Sequence, residues 1–258
     1  MPPHILLDRL TWPEVRAALD DGFTTVVLAC GATEQHGPHL PLLVAAEIGR
    51  RGALETARRL GRALVAPTVR IGCSDHHMAF PGTLSLRRET FQAVVRDTCA
   101  SLAHHGFRRI CILPSHGGNV APLAEAWPSF REAVAGAAGE GVEVEVLVDT
   151  DLMGLVELWK EVTETFGAPA ERVGGHADLA ESSILLDILP ELVREDRAEA
   201  GHVAELSAEE LDRIIREGLH TVTPNGILGD PRGMDRELGR RLVEAMAERL
   251  VGVFGRDR

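Results

Sequence analysis

The chain has 258 residues, 45% of them hydrophobic, and a formal net charge of −12. That is ample apolar material for one buried core, which excludes a disordered chain, and one domain spanning residues 1–258 accounts for the length. The acidic balance disfavours phosphate backbones and anionic lipid, so a small-molecule substrate is expected, with no nucleic-acid and no membrane partner.

The opening MPPHILLDRLTWPEV has no long apolar stretch after a basic start, so no signal peptide is expected. No window approaches ~18 uninterrupted apolar residues. The four cysteines, Cys30, Cys73, Cys99 and Cys111, lie far apart and form no CxxC pair; they read as buried reduced thiols in a cytoplasmic protein.

A first strand is predicted at residues 24–29 (TTVVLA) and a second within 63–71, around LVAPTVRI. Phe91, Val94, Val95 and Leu102 then recur at helical spacing up to Gly106, a usual helix terminator. A third strand follows at 110–113 (ICIL), and a fourth at 142–148 (VEVEVLV) after a flexible turn at 135–141 (AGAAGEG). Residues 177–186 read as a helix, and Leu238, Leu242, Met246 and Leu250 mark a last amphipathic one. Short apolar strands alternating with helices predict an α/β fold, with a mainly parallel central sheet covered by helices. Ligands bind beyond the carboxyl ends of such strands.

The polar segments follow those ends. Residues 31–42 (GATEQHGPHLPL) hold Glu34, His36 and His39; Glu-x-His in an extended segment puts both side chains on one face, where a carboxylate and an imidazole suit zinc, iron or manganese. Residues 114–119 (PSHGGN) place His116 just past a strand, with Gly117 and Gly118 allowing close backbone approach to a ligand. In 174–183 (GGHADLAESS), Glu181 follows His176 by five positions, in an otherwise apolar helix start where a buried carboxylate needs a partner. Residues 72–84 (GCSDHHMAFPGTL) read as a polar loop in which at most one of His76 and His77 faces the site.

The EQHGPHLPL run, the SxxHxxFPGTLSL pattern, the HGGN loop, the GGHAxxxES segment and the late GILGDP loop, in this order, resemble the creatininase family over roughly residues 5–250. The resemblance implies a three-layer α/β/α sandwich, a centre of one or two divalent ions (Zn, Mn or Fe) that hydrolyses C–N bonds, and a homo-oligomer, a hexamer in the family. It implies Glu34, His36, His116 and Glu181 as metal ligands, with His176 and Glu181 in catalysis and His176 as proton donor to the leaving nitrogen or holder of the oxyanion. His77, Ser74, Gly117, Gly118 and His39 would line the substrate. Two positions depart from the pattern. Ala45 stands where the family carries an aspartate that bridges two metals, Glu47 two positions on would need a shifted backbone to replace it, and the alanine reads either as a natural weakening of the site or as a replacement introduced to disable catalysis. Gly118 stands where true creatininases carry a glutamate, which argues against creatinine as substrate. A metal-dependent amidohydrolase is expected, with a catalytically inactive ligand-binding protein as the alternative.

Overall fold

Four short aliphatic runs pair into one parallel sheet in the computed structural model, which describes residue 2 and residues 4–255. Met1 and Pro3, within the segment read for a signal peptide, lie outside the described residues. The strands are β1 (Thr25–Cys30), β2 (Ala63–Val65), β3 (Arg109–Pro114) and β4 (Glu145–Val148), in spatial order β2-β1-β3-β4. β1 and β3 are the central pair, in register from Thr25 opposite Arg109 to Cys30 opposite Pro114. Their side chains divide with period two. Val26, Leu28, Ile110 and Ile112 enter one core, and Val27, Ala29, Cys111 and Leu113 enter the other.

Helices cover both faces. α3 (Arg88–His105) and α4 (Val120–Ala138) close the first core with Phe91, Val95, Leu123 and Phe130. α2 (Val44–Leu60), α5 (Leu152–Phe166), α6 (Leu179–Ile188) and α8 (Arg236–Phe254) close the second. This is the α/β/α layering the sequence predicts. Two further helices, α1 (Trp12–Asp20) and α7 (Ala208–Glu217), start on Ser/Thr–Glu capping boxes, at Thr11 with Glu14 and at Ser207 with Glu210. A separate antiparallel pair, β5 (Val173–His176) and β6 (Leu228–Gly229), lies outside the main sheet.

Several boundaries move from those predicted, each for a local reason. The 135–141 turn is half helix: α4 runs to Ala138, because an alanine-rich run is a strong helix former, and it stops at Gly139 (φ 96°). β2 ends at Val65, two residues before Pro67, which has no N–H to continue the ladder. The helix predicted from 177 begins at Leu179, because Asp178 caps it by accepting the Glu181 N–H and Ala177 adopts φ 53°. All four cysteines are buried and free. Among the described residues, no helix is long and apolar enough to cross a membrane.

α6 and α8 cross where Gly239 meets the backbone of Ser183; a Cβ on Gly239 would collide with the Ser183 carbonyl. Gly239→Ala should therefore cost about 1–3 kcal/mol of stability. Gly136→Ala, in the interior of α4 with open space around its Cα, should be neutral or stabilising by up to about 1 kcal/mol. Urea denaturation midpoints of the two variants check this.

Candidate metal centre

Four strand ends and one helix start bring their polar side chains together. Glu34 and His36 leave the end of β1, His116 the end of β3, and Ser74 and His77 the loop after β2; His176 closes β5 and Glu181 stands in the first turn of α6. Glu34 is 1% exposed and has three partners: His116 Nδ1 at 2.8 Å from Oε1, the Ser74 hydroxyl donating to Oε2 at 2.9 Å, and His77 Nε2 at 3.6 Å. Glu34, His36 and His176 each offer a ligand atom within 4.8 Å of the others'. His116 is tied to that group through Glu34.

The backbone decides which nitrogen of each ring is bare. His116 Nε2 lies 2.9 Å from the Cys73 carbonyl oxygen, which only accepts, so Nε2 carries a hydrogen and Nδ1 is the nitrogen that meets Glu34 across a proton or a cation. His36 Nδ1 lies 3.1 Å from the Glu34 carbonyl by the same logic; its Nε2 is buried with no hydrogen-bond partner and faces Glu181 Oε2 at 3.5 Å. Two pairs of acceptors thus confront one another, His116 with Glu34 and His36 with Glu181. Each confrontation is stable only with a cation or a proton between the two atoms.

The titration shifts agree. Burial alone would lower His116, but the Glu34 charge and hydrogen bond outweigh it and raise it. Burial likewise opposes the Glu34 charge, and His116 outweighs it to hold that carboxyl below its usual range. Glu181 is pushed well up, by burial first and then by the neighbouring Asp178 charge. Burial brings His36 down to about 3 and His176 well below its ordinary value, so both are neutral imidazoles at neutral pH. Bare imidazole nitrogens and a carboxylate are the donor set of zinc, manganese and iron sites, so these residues fit a divalent ion.

The remaining predicted residues take more specific positions. His77 packs its ring 4.6 Å from that of His176, while His76 stacks on His116 at 5.5 Å. His39 is fully buried, 2.8 Å from the Ser182 hydroxyl. Ser74 commits its hydroxyl to Glu34. Gly118 makes its close approach to the protein: a Cβ there would collide with the Cys73 carbonyl oxygen, so the backbone has no room for the glutamate expected at this position from the family resemblance. Glu47 is held by Arg50 at 2.7 Å and Arg70 at 2.9 Å and turns away from the cluster. Ala45 is 1% exposed and lines a small cavity of roughly 40 Å³, shared with Glu34, His116, His176 and Glu181 and floored by Ile48, Leu113, Trp159 and Met246.

Two residues carry the site without having been singled out. Gln35 sits between Glu34 and His36, and period two would point it away. Its side-chain amide nitrogen nonetheless lies 3.0 Å from His77 Nδ1, from His176 Nε2 and from the Gly226 carbonyl. Asn119, the last residue of HGGN, donates to the Cys30 and Gly31 carbonyls at 3.0 Å each and accepts from the Cys73 N–H at 3.0 Å, lacing three segments together. A buried Asn just past a strand end was the available signal.

The creatininase family profile, described as creatinine amidohydrolase, matches residues 8–254. The chain is 32% identical over 254 residues to the mycofactocin precursor peptide peptidase of Mycobacterium ulcerans (strain Agy99), a match that covers 95% of this chain and 86% of that protein. It superposes on a crystal structure of creatinine amidohydrolase (creatininase) with a TM-score of 0.79 and 25% identity, covering 99% of this chain and 100% of that one. On a structure named Creatininase Mn the TM-score is 0.77, again at 25% identity, covering 97% and 98%.

Gly118→Ala tests the wiring of His116. The added methyl would press on the Cys73 carbonyl and on His116 Nε2. Metal affinity should fall about 10–100-fold, as for loss of an outer-shell contact. Competition with a chromophoric chelator measures it; unchanged affinity in a folded variant would show that this hydrogen bond does not orient the ring.

Proposed function

The chain belongs to the creatininase family and is a metal-dependent amidohydrolase, and we propose that it cleaves a C–N bond in a small molecule or short peptide at the Glu34–His116 and His36–Glu181 pairs. The observation that carries this reading is the double confrontation of acceptors, with His36 Nε2 buried and unpartnered. Glu34, His36, His116 and Glu181 are the residues that would hold zinc, manganese or iron. A bound divalent ion polarises a carbonyl and lowers the pKa of water from 15.7 toward about 7.

The protein groups supply the rest. His176, neutral and within 4.8 Å of the ligand atoms of Glu34 and His36, takes a proton from the attacking water and delivers it to the leaving nitrogen. One C–N bond is exchanged for a C–O bond, giving an acid and an amine. Glu181, its carboxyl pushed up by burial and the Asp178 charge, is a ligand whose proton a bound cation would displace. Gly118, at the position where the family resemblance expects a glutamate in true creatininases, supports a substrate other than creatinine. The likeness to a peptide peptidase supports the peptide end of that range.

Ala45 favours a second reading, a family member that binds its ligand without turning it over. A bridging carboxylate offsets repulsion between two closely spaced cations and ligates both, and alanine does neither. We expect one ion held tightly and low activity. Ala45→Asp, which projects into the roughly 40 Å³ cavity, should add a second ion and raise hydrolysis by orders of magnitude. Elemental analysis of protein purified without added metal checks the first point. Two ions at full occupancy in the unaltered chain would refute this account of Ala45. Within the Ala45→Asp background, His176→Ala should lose about 10²–10⁴-fold in turnover while metal content holds; His116→Ala should lose the metal. Loss of metal from His176→Ala would make it a ligand and overturn the assigned role. We also propose a cytoplasmic homo-oligomer, a hexamer by family; a monomer by light scattering at micromolar concentration would refute it.

A further inference from the structure

His176 and Glu181 come from either side of a turn that is strained. Ala177 between them has φ 53° and is, among the described residues, the one non-glycine with positive φ. That region costs a residue with a Cβ about 1–3 kcal/mol, and it persists where the surroundings over-determine it. Here the surroundings are largely one side chain. Asp178 is fully buried, and its Oδ2 accepts from the N–H groups of Gly174 at 2.9 Å and Gly175 at 2.7 Å while its Oδ1 accepts from Glu181 N–H at 3.0 Å. One carboxylate therefore spans the turn, gripping β5 ahead of it and the first turn of α6 after it. The turn so held lets the Ala177 N–H donate to Glu181 Oε2 at 2.6 Å, with the same oxygen 3.5 Å from His36 Nε2. From the opposite side, β6 packs on the clamp at Gly229, where a Cβ would come 2.9 Å from Asp178 Cβ.

We propose that Asp178 is a positioning residue of the hydrolytic site: it holds Ala177 in the left-handed conformation that sets His176 and Glu181 facing the same cluster. An ordinary N-cap needs one acceptor bond, to the N2 or N3 amide. The two further bonds reach back into β5, where capping α6 has no use for them. The proposal rests on the metal-centre reading above for its consequence, but its geometry stands apart from it.

The test compares Asp178→Asn with Asp235→Ala, since Asp235 caps α8 through Glu237 N–H at 2.7 Å and Leu238 N–H at 3.1 Å and serves no turn of this kind. An amide in either orientation turns its NH₂ toward backbone N–H groups, so one grip of the clamp is lost. Two quantities are read: zinc dissociation constants by chelator competition, and the side-chain ¹⁵N resonances of His176 and His36 in metal-free protein. Asp178→Asn should weaken zinc about 10–100-fold and shift the His176 ring signals, while Asp235→Ala lowers the melting temperature and moves neither. Adding Ala177→Gly to Asp178→Asn should recover part of the affinity, because glycine adopts positive φ without strain. That double variant also serves if Asp178→Asn alone does not fold. Zinc affinity within twofold of the unaltered chain and unmoved His176 signals would overturn the proposal, as would equal losses from Asp178→Asn and Asp235→Ala. Failure of the unaltered chain to bind zinc would count against the metal reading, and the resonances would then decide the role of Asp178 alone.

Discussion

A carboxylate at 1% exposure is the constraint on which the structure turns. Leaving Glu34 charged in that position without partners would cost several kcal/mol. Its partners are Ser74, His77 and His116, and none is near it in sequence. Only the parallel sheet delivers them together. β1, β2 and β3 run the same way, so the loops after all three open on the same edge. An antiparallel arrangement of the same strands would send the loop after one of them to the far side. The sheet order β2-β1-β3 is thus the geometric condition for the Glu34 pairings.

The second feature that organises the site is backbone wiring. Each imidazole that presents a bare nitrogen to the cluster does so because its other nitrogen meets a carbonyl: Cys73 for His116, Glu34 for His36. Carbonyls accept and never donate, so these contacts fix the tautomer irrespective of the surroundings. The segments that carry these carbonyls are tied to one another. Asn119 accepts from the Cys73 N–H and donates to Cys30 and Gly31, which fastens the loop after β2 to the end of β1. The orientation of these rings is inherited from main-chain positions rather than from a network of free-swinging side chains.

This division explains what was readable in the chain. The central strands were legible because they are buried on both faces and therefore nearly all apolar, as ICIL and TVVLA are. Glu34, His36 and His116 gave only a weak signal as polar residues past strand ends, and it was the family resemblance of the EQHGPHLPL and HGGN runs that marked them as candidate ligands. β5 and β6 were not, since GGH and LG carry no periodicity; their pairing is fixed by long-range packing of Gly174 against Leu228. Gln35 was hidden by its own neighbours, because a strict alternation rule turns it away from the two residues beside it. The chain bends at Gly37 (φ 66°), whose N–H donates to the Gln35 side-chain oxygen at 2.9 Å, and that local turn brings the amide back to the cluster.

The two departures from the family pattern differ in physical kind. At Gly118 the backbone has closed up: the Cys73 carbonyl and the His116 ring occupy the space a side chain would need. Restoring a glutamate there would require moving the very carbonyl that sets the His116 tautomer, so the loss is built into the site. At Ala45 nothing has closed up. The residue opens on a small cavity whose walls include Glu34, His116, His176 and Glu181, and its carbonyl is still fastened by the Ser115 hydroxyl at 2.7 Å. Nor has a substitute formed, because Glu47, two residues further along α2, is committed to Arg50 and Arg70. The first position therefore has no room for a larger side chain, and the second has room beside it. On the reading proposed above, the buried carboxylates stay in place with an open position beside Ala45 on the first turn of α2, and that position is where a missing ligand could be put back.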